Sequence, residues 1–210
     1  LEIFDKKDIS LRNISNIPFK ESKLLDIASV KYIYSKNNLN RVPKNYNFVE
    51  KLENGISIYE NNNAFPYFYI AKKIRLLKNL SDLNDINTGE VFLEKNPKLI
   101  NYTLDSSYPN IELVDFKYGY FEFNFSSNKN ELLVISDLWH PFWKAKNKEI
   151  LLDIVKANGI FKGVILPKGE YSFKVFFDTS NYNIGIYISI LTFLFIIFII
   201  TLLTKFINER

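Results

Sequence analysis

The chain has 210 residues, 47% hydrophobic and 16% aromatic, with a net charge of +4 and neither cysteine nor methionine. That length holds one buried core and the absence of cysteine excludes disulfides, Fe–S clusters and thiol catalysis. The lysines are scattered among acids, so no basic block suits nucleic acid.

Residues 1–19 show no clear hydrophobic period and read as a linker from an upstream part. Residues 20–28 place Leu24, Leu25 and Ala28 at helical spacing, and 30–35 (VKYIYS) alternate like a strand. A polar loop with Pro43 fills 37–47, and Ile56 and Ile58 in 55–60 share one strand face. The first half of 67–77 reads as a strand, Ser81 as the N-cap of a short helical turn, and 90–93 as another strand. The run Asp82, Asn84, Asp85, Asn87, Gly89 superficially matches a calcium loop, but Ile86 stands at the fifth position, and a solvated helix start explains it better.

The second half is more regular. Strands are expected at 111–117, 120–126, 131–136, 150–157, 161–166 and 171–177. Phe121, Phe123 and Phe125 alternate with Glu122 and Asn124, as in a half-buried strand, whereas 131–136 (ELLVIS) suits a central one. Pro167, Lys168 and Gly169 make a tight turn between the last two strands. Short strands separated by turn signals predict a mainly β, sandwich-like domain: a small α/β portion over 20–100 packed with a β-sandwich-like portion over 101–183.

The stretch 184–203 carries no charge. At 1.5 Å per residue its length of about 20 residues spans about 30 Å, the hydrocarbon thickness of a bilayer. It predicts a transmembrane helix over 184–204, with Tyr182 and Tyr187 as interface anchors and 205–210 as a tail. Lys205 and Arg210 favour a cytoplasmic tail and an outside domain, which needs membrane helices upstream because the N-terminus carries no signal-peptide pattern. The opposite reading is a tail-anchored protein with its domain in the cytoplasm.

Chemical signatures are sparse. The seven glycines form neither a dinucleotide fingerprint nor a phosphate loop, and a single histidine excludes a histidine metal cluster. No catalytic residue, metal ligand or cofactor-binding residue is assigned. Matches to the N-x-[ST] glycosylation pattern begin at Asn13, Asn79, Asn101 and Asn124, as expected by chance in so asparagine-rich a chain. The stretch 136–145 (SDLWHPFWKA) concentrates the unusual residues: both tryptophans, the only histidine, Phe142, Asp137 and Lys144. Aromatic faces stack on sugars, and Asp137, His140 and Lys144 can bond hydroxyls or phosphate, so Asp137, Trp139, His140, Trp143 and Lys144 are the candidate ligand-binding residues. The competing reading is a plug of large aromatics at the corner of the sandwich, with His140 held by structural hydrogen bonds.

Four stretches resemble the C-terminal region of the bacterial membrane protein YfhO family: 24–35 (LLDIASVKYIYS), 56–70 (ISIYENNNAFPYFYI), 132–145 (LLVISDLWHPFWKA) and 157–177 (ANGIFKGVILPKGEYSFKVFF). The last two are the more specific, since their order, spacing and following apolar helix all agree. Pro141-Phe142-Trp143 lacks the family's turn glycine, Asn147-Lys148 stands where the family often has Asp-Gly, and 64–69 lacks the family's arginine. The resemblance implies a multi-spanning protein of the bacterial cytoplasmic membrane, related to C-type glycosyltransferases that use polyprenyl-phosphate-linked sugars. Their catalytic carboxylates lie in earlier loops, outside this chain. The expected role is an extracytoplasmic module, with upstream helices of the same protein and an envelope glycan or glycolipid as partners. The alternative is a non-enzymatic membrane-tethered module that binds envelope polysaccharide or a partner protein.

Overall fold

The computed structural model describes residues 22–36, 42, 44–95 and 109–208; the expected linker over 1–19 and the glycosylation patterns at Asn13 and Asn101 lie outside them. Among these residues the chain is mainly β. Helix α1 (Ser22–Ile27) leads into β1 (Tyr32–Ser35), β2 (Tyr46–Lys51) and β3 (Ser57–Asn61), which form an antiparallel sheet in the order β1-β3-β2. Strands β4 (Phe68–Ile70), β5 (Lys73–Leu76) and β6 (Glu90–Leu93) follow. Next come β7 (Asn110–Lys117), β8 (Tyr120–Ser127), β9 (Glu131–Leu138), β10 (Trp143–Asn147), β11 (Ile150–Leu152), β12 (Ile154–Ala157), β13 (Phe161–Leu166) and β14 (Gly169–Phe177). Helix α2 (Ser180–Asn208) closes the described chain.

Two sheets face each other. One has five strands in the order β11-β10-β14-β8-β7, and the other six in the order β4-β9-β13-β12-β6-β5. Every pairing is antiparallel except β5 with β6. The six-stranded sheet draws strands from both sides of residue 100, so the two expected portions share a sheet. The core between the sheets follows from alternation. Phe121, Phe123 and Phe125 of β8 and Phe173 and Val175 of β14 meet Leu133 and Ile135 of β9 and Val164 and Leu166 of β13. The intervening residues of β9 and β13, including Leu132, Val134 and Ile165, pack on the other face with Val91 and Leu93. Both faces of β9 and β13 are therefore covered, which is why their sequences are nearly continuous apolar runs.

Five elements differ from expectation. Strands β5 and β10 lie where the sequence reading placed none, in the second half of 67–77 and after Pro141. β2 falls partly within the expected polar loop; only Tyr46 of its six residues is buried, so no alternation marks it. The stretch 150–157 is two strands in two different sheets, β11 and β12, with the switch at Asp153, whose carbonyl accepts Ile165 N–H at 2.9 Å. The short helical turn, a 3-10 helix over Leu80–Asp85, is capped at Asn79 rather than Ser81. There the Asp82 carboxylate accepts the N–H groups of Lys78 and Asn79 at 2.9 and 3.0 Å, and these bonds hold it below the usual carboxylate range.

Helix α2 contains a span, Tyr182–Lys205, long and apolar enough to cross a membrane, and none of it is buried against the domain. The serine and threonine hydroxyls of this span bond to the helix backbone: Ser189 donates to Gly185 O at 2.9 Å, Thr192 to Ile188 O at 2.9 Å, Thr201 to Phe198 O at 2.7 Å and Thr204 to Thr201 O at 2.9 Å. A helix in hydrocarbon requires such closure, because no water is present to satisfy a free hydroxyl.

Candidate functional site

The segment 136–145 carries the chain from one sheet to the other. β9 ends at Leu138 in the six-stranded sheet, and β10 begins at Trp143 in the five-stranded sheet. The loop between them is held at both ends. Trp139 N–H donates to Ile160 O at 2.8 Å, and Trp143 N–H donates to His140 O at 3.0 Å. The His140 ring accepts Phe142 N–H through Nδ1 at 3.2 Å and packs against Phe142 and Phe177, with centroids 4.8 and 5.3 Å apart.

This corner also receives α2. Trp143 pairs with Phe177, the last residue of β14, and the helix starts three residues later. Phe177 N–H donates to Gly119 O at 2.9 Å, and Asp178 N–H donates to Phe142 O at 2.8 Å. The Asp178 carboxylate caps the helix by accepting Ser180 N–H at 3.0 Å, a bond that lowers its pKa. Phe142 then meets Tyr182 edge-on at 6.0 Å. The sandwich and the helix thus join through strand pairing, a cap and an aromatic contact, with only Asp178 and Thr179 between them.

The five candidate residues divide into two groups. Trp139, His140 and Lys144 are exposed beside the start of α2. Trp143 is 8% exposed and faces the core, where it packs against Phe121 and Phe177 at 5.9 and 5.5 Å. Asp137 stands between the groups. It continues the inward face of β9 after Leu133 and Ile135, and its side chain is 35% exposed.

The partner of Asp137 is a residue that sequence reasoning missed. Lys162, on β13, is fully buried, and its Nζ donates to Asp137 Oδ2 at 2.8 Å. It shares the inward face of β13 with Val164 and Leu166, and its Nζ lies 2.9 Å from the centroid of the Trp143 ring and 5.3 Å from that of Phe121. A register shift between Phe161 and Lys162 sets this position, since Lys162 pairs with Ile135 while Phe161 pairs with Leu138. Burial lowers the lysine to about 8, opposed by the hydrogen bond and charge of Asp137. Tyr67 adjoins the pair; burial, then the Asp137 charge, raises its phenol well above the ordinary range. The indole face of Trp143 replaces part of the lost hydration of the ammonium. The signal for Lys162 was its place inside a strand apolar on both sides, where a lysine needs a buried counter-charge.

The stretches 24–35, 56–70, 132–145 and 157–177 meet in pairs. Asn61, fully buried, donates to Asp26 Oδ1 at 2.8 Å and to Val30 O at 3.1 Å, joining the first stretch to the second. The Asp137–Lys162 pair joins the third to the fourth, and Ser136 Oγ donates to Ile27 O at 3.2 Å, tying the third to the first. Asn158, in the left-handed region at φ 48°, accepts Phe92 N–H at 2.8 Å and fixes the turn before β13. These polar residues hold strands together.

A concavity of about 510 Å³ lies elsewhere, on the outer face of the five-stranded sheet, lined by Glu122, Lys146, Glu149, Glu170, Ser172 and Lys174 among others. Among the described residues no group of three or more histidine, aspartate or glutamate side chains is placed to hold a metal ion. No protein-family model, curated protein or solved structure matches the chain.

Proposed function

We propose that this chain is the extracytoplasmic module and last membrane helix of a YfhO-like integral membrane protein of the bacterial cytoplasmic membrane. The whole protein moves a sugar from a polyprenyl-phosphate carrier to a cell-envelope acceptor, and this module holds the acceptor or the donor headgroup beside the membrane. The reading rests on the resemblance. The observation that supports it best is the position of Trp139, His140 and Lys144, an aromatic ring, an imidazole and an ammonium exposed where the sandwich meets α2. Those groups suit a sugar or a phosphate at membrane level. Trp143 enters this reading as support, through its packing on Lys162 and Phe177. The test is sugar transfer by membranes containing the whole protein. Replacing Trp139, His140 and Lys144 together with alanine lowers transfer at least tenfold at unchanged protein level; unchanged transfer sinks the role.

The polar concavity on the outer sheet face favours a second reading, a tethered module that binds envelope glycan without catalysing transfer. Its mixture of ammonium, carboxylate and hydroxyl groups fits a hydroxyl-rich polymer. Retention of purified envelope polysaccharide by membranes that show no sugar transfer, lost on replacing Lys146 and Lys174 with alanine, distinguishes it from the first.

A further inference from the structure

The loops surrounding the mouth of α2 expose apolar groups. Tyr118, at the β7–β8 turn, is fully exposed; Leu138 is 64%, Ile160 51% and Trp139 37% exposed. The backbone attaches the Gly119 and Phe142 loops to the helix entry, where Gly119 O accepts Phe177 N–H and Phe142 O accepts Asp178 N–H, and Trp139 N–H to Ile160 O joins the neighbouring loop to them. Lys117 and Lys144, both exposed, flank this rim, each paired in register with an aromatic residue of the outer sheet face, Tyr120 and Phe176 respectively.

Distance decides what covers the rim. From Asp178 to Tyr182, where the span able to cross a membrane begins, is about 6 Å along a helix at 1.5 Å per residue. The interfacial layer of a bilayer is itself about 5–8 Å deep on each side. The strand pairing and the helix cap allow no linker that would lift the sandwich away. Exposed residues elsewhere, such as Phe48 on β2, have no such attachment to the helix.

We infer that the rim formed by Tyr118, Leu138, Trp139 and Ile160 seats in the lipid headgroup layer, making the β-sandwich a second, peripheral membrane contact in addition to α2. Tyrosine and tryptophan favour that layer because an apolar body and a polar edge are both accommodated, and Lys144 complements anionic headgroups, while the Lys117 ammonium is paired with Asp115 Oδ2 at 2.7 Å. The inference requires only that α2 crosses a bilayer. It is independent of which side the domain faces and of any sugar chemistry.

The full chain in lipid nanodiscs supplies the test, because its only two tryptophans occupy different environments. Emission is compared in nanodiscs of ordinary phosphatidylcholine and of phosphatidylcholine brominated high on the acyl chains, for the native chain and for W139F, an exposed position whose replacement leaves the core intact. The inference predicts that roughly half of the Trp139 contribution is lost to brominated lipid, and that acrylamide quenches it poorly. Three results overturn it: equal emission in the two lipids with free access of acrylamide, quenching that persists unchanged in W139F, or shielding from both quenchers, which would place a protein partner or a second copy on the rim.

Discussion

Asp137 and Lys162 make opposite predictions for two conservative substitutions. Lys162 is fully buried and its pKa falls from 10.5 to about 8, whereas Asp137 is 35% exposed on its side chain. That fall corresponds to about 3 kcal/mol that the folded state spends in keeping the ammonium charged at neutral pH. In the unfolded chain the lysine stays protonated up to 10.5, so between pH 8 and 10.5 the unfolded state binds more protons and stability rises with pH; below about 8 the full penalty applies. Lys162→Met removes the charge, keeps the length and packs on Trp143 and Phe121, while Asp137 remains solvated from its open side. We expect a gain of about 1–3 kcal/mol at pH 7, disappearing as pH approaches 10.5. Asp137→Asn leaves the ammonium buried beneath Trp143 with a neutral partner. The loss expected is about 2–3 kcal/mol at pH 7, toward the lower end of values for breaking a buried pair because Asp137 is part exposed. It too shrinks at high pH, where Lys162 is neutral. For a chain of this size, 2–3 kcal/mol lowers the melting temperature by about 4–12 °C. Thermal unfolding in detergent at pH 6, 7.5, 9 and 10.5, followed by near-ultraviolet circular dichroism of the Trp143 environment, reads all three proteins. A destabilised, pH-independent Lys162→Met together with a neutral Asp137→Asn would refute the reasoning.

Other substitutions probe the joints of the fold by the same melts. Asn61→Ala removes the donors to Asp26 and Val30 O and the acceptor for Asn63 N–H, and should cost about 2–4 kcal/mol, since buried partners are left unpaired. Gly163→Ala brings a Cβ to 3.0 Å from Leu132 Cδ1 and 3.2 Å from Val155 Cγ2, so overpacking of about 1–3 kcal/mol is expected, with less loss if Leu132 is also shortened to valine. Asp178→Ala removes the cap of α2 and should cost about 1 kcal/mol; hydrogen exchange should show faster opening at 180–182 while the sandwich core is unchanged.

Much of this architecture was legible because alternation and burial coincide. Phe121, Phe123 and Phe125 read as one buried face and occupy the core between the sheets, and 131–136 and 161–166 read as apolar strands because both of their faces are covered. Legibility failed where a strand lacked that coincidence. β2 buries only Tyr46. β11 and β12 form one apolar run that changes sheets at Asp153, a tertiary event without a local signature. β10 does alternate, with Trp143 and Ala145 inward and Lys144 exposed outward, but it is short and follows Pro141, a residue that interrupts strands. At the candidate site the residue types stood out before their arrangement did. Trp139 and Trp143 are four positions apart, yet one lies on the exposed rim and the other under the core, because the loop between them crosses from sheet to sheet. Lys162 escaped notice because its counter-charge is 25 residues away in sequence and only the β9–β13 pairing brings them together.

The central claim is that α2 crosses the membrane and leaves the sandwich on the extracytoplasmic side. This chain contains no cysteine, so each introduced cysteine is its single thiol, and the whole protein without the introduced cysteine serves as the blank. Glu149→Cys reports on the exposed turn between β10 and β11, and Asn208→Cys on the end of α2. With the whole protein in intact cells, a membrane-impermeant maleimide should label position 149 directly and position 208 only after permeabilisation. Labelling of position 208 from outside, with 149 protected until the membrane is opened, would contradict the account and place the domain in the cytoplasm.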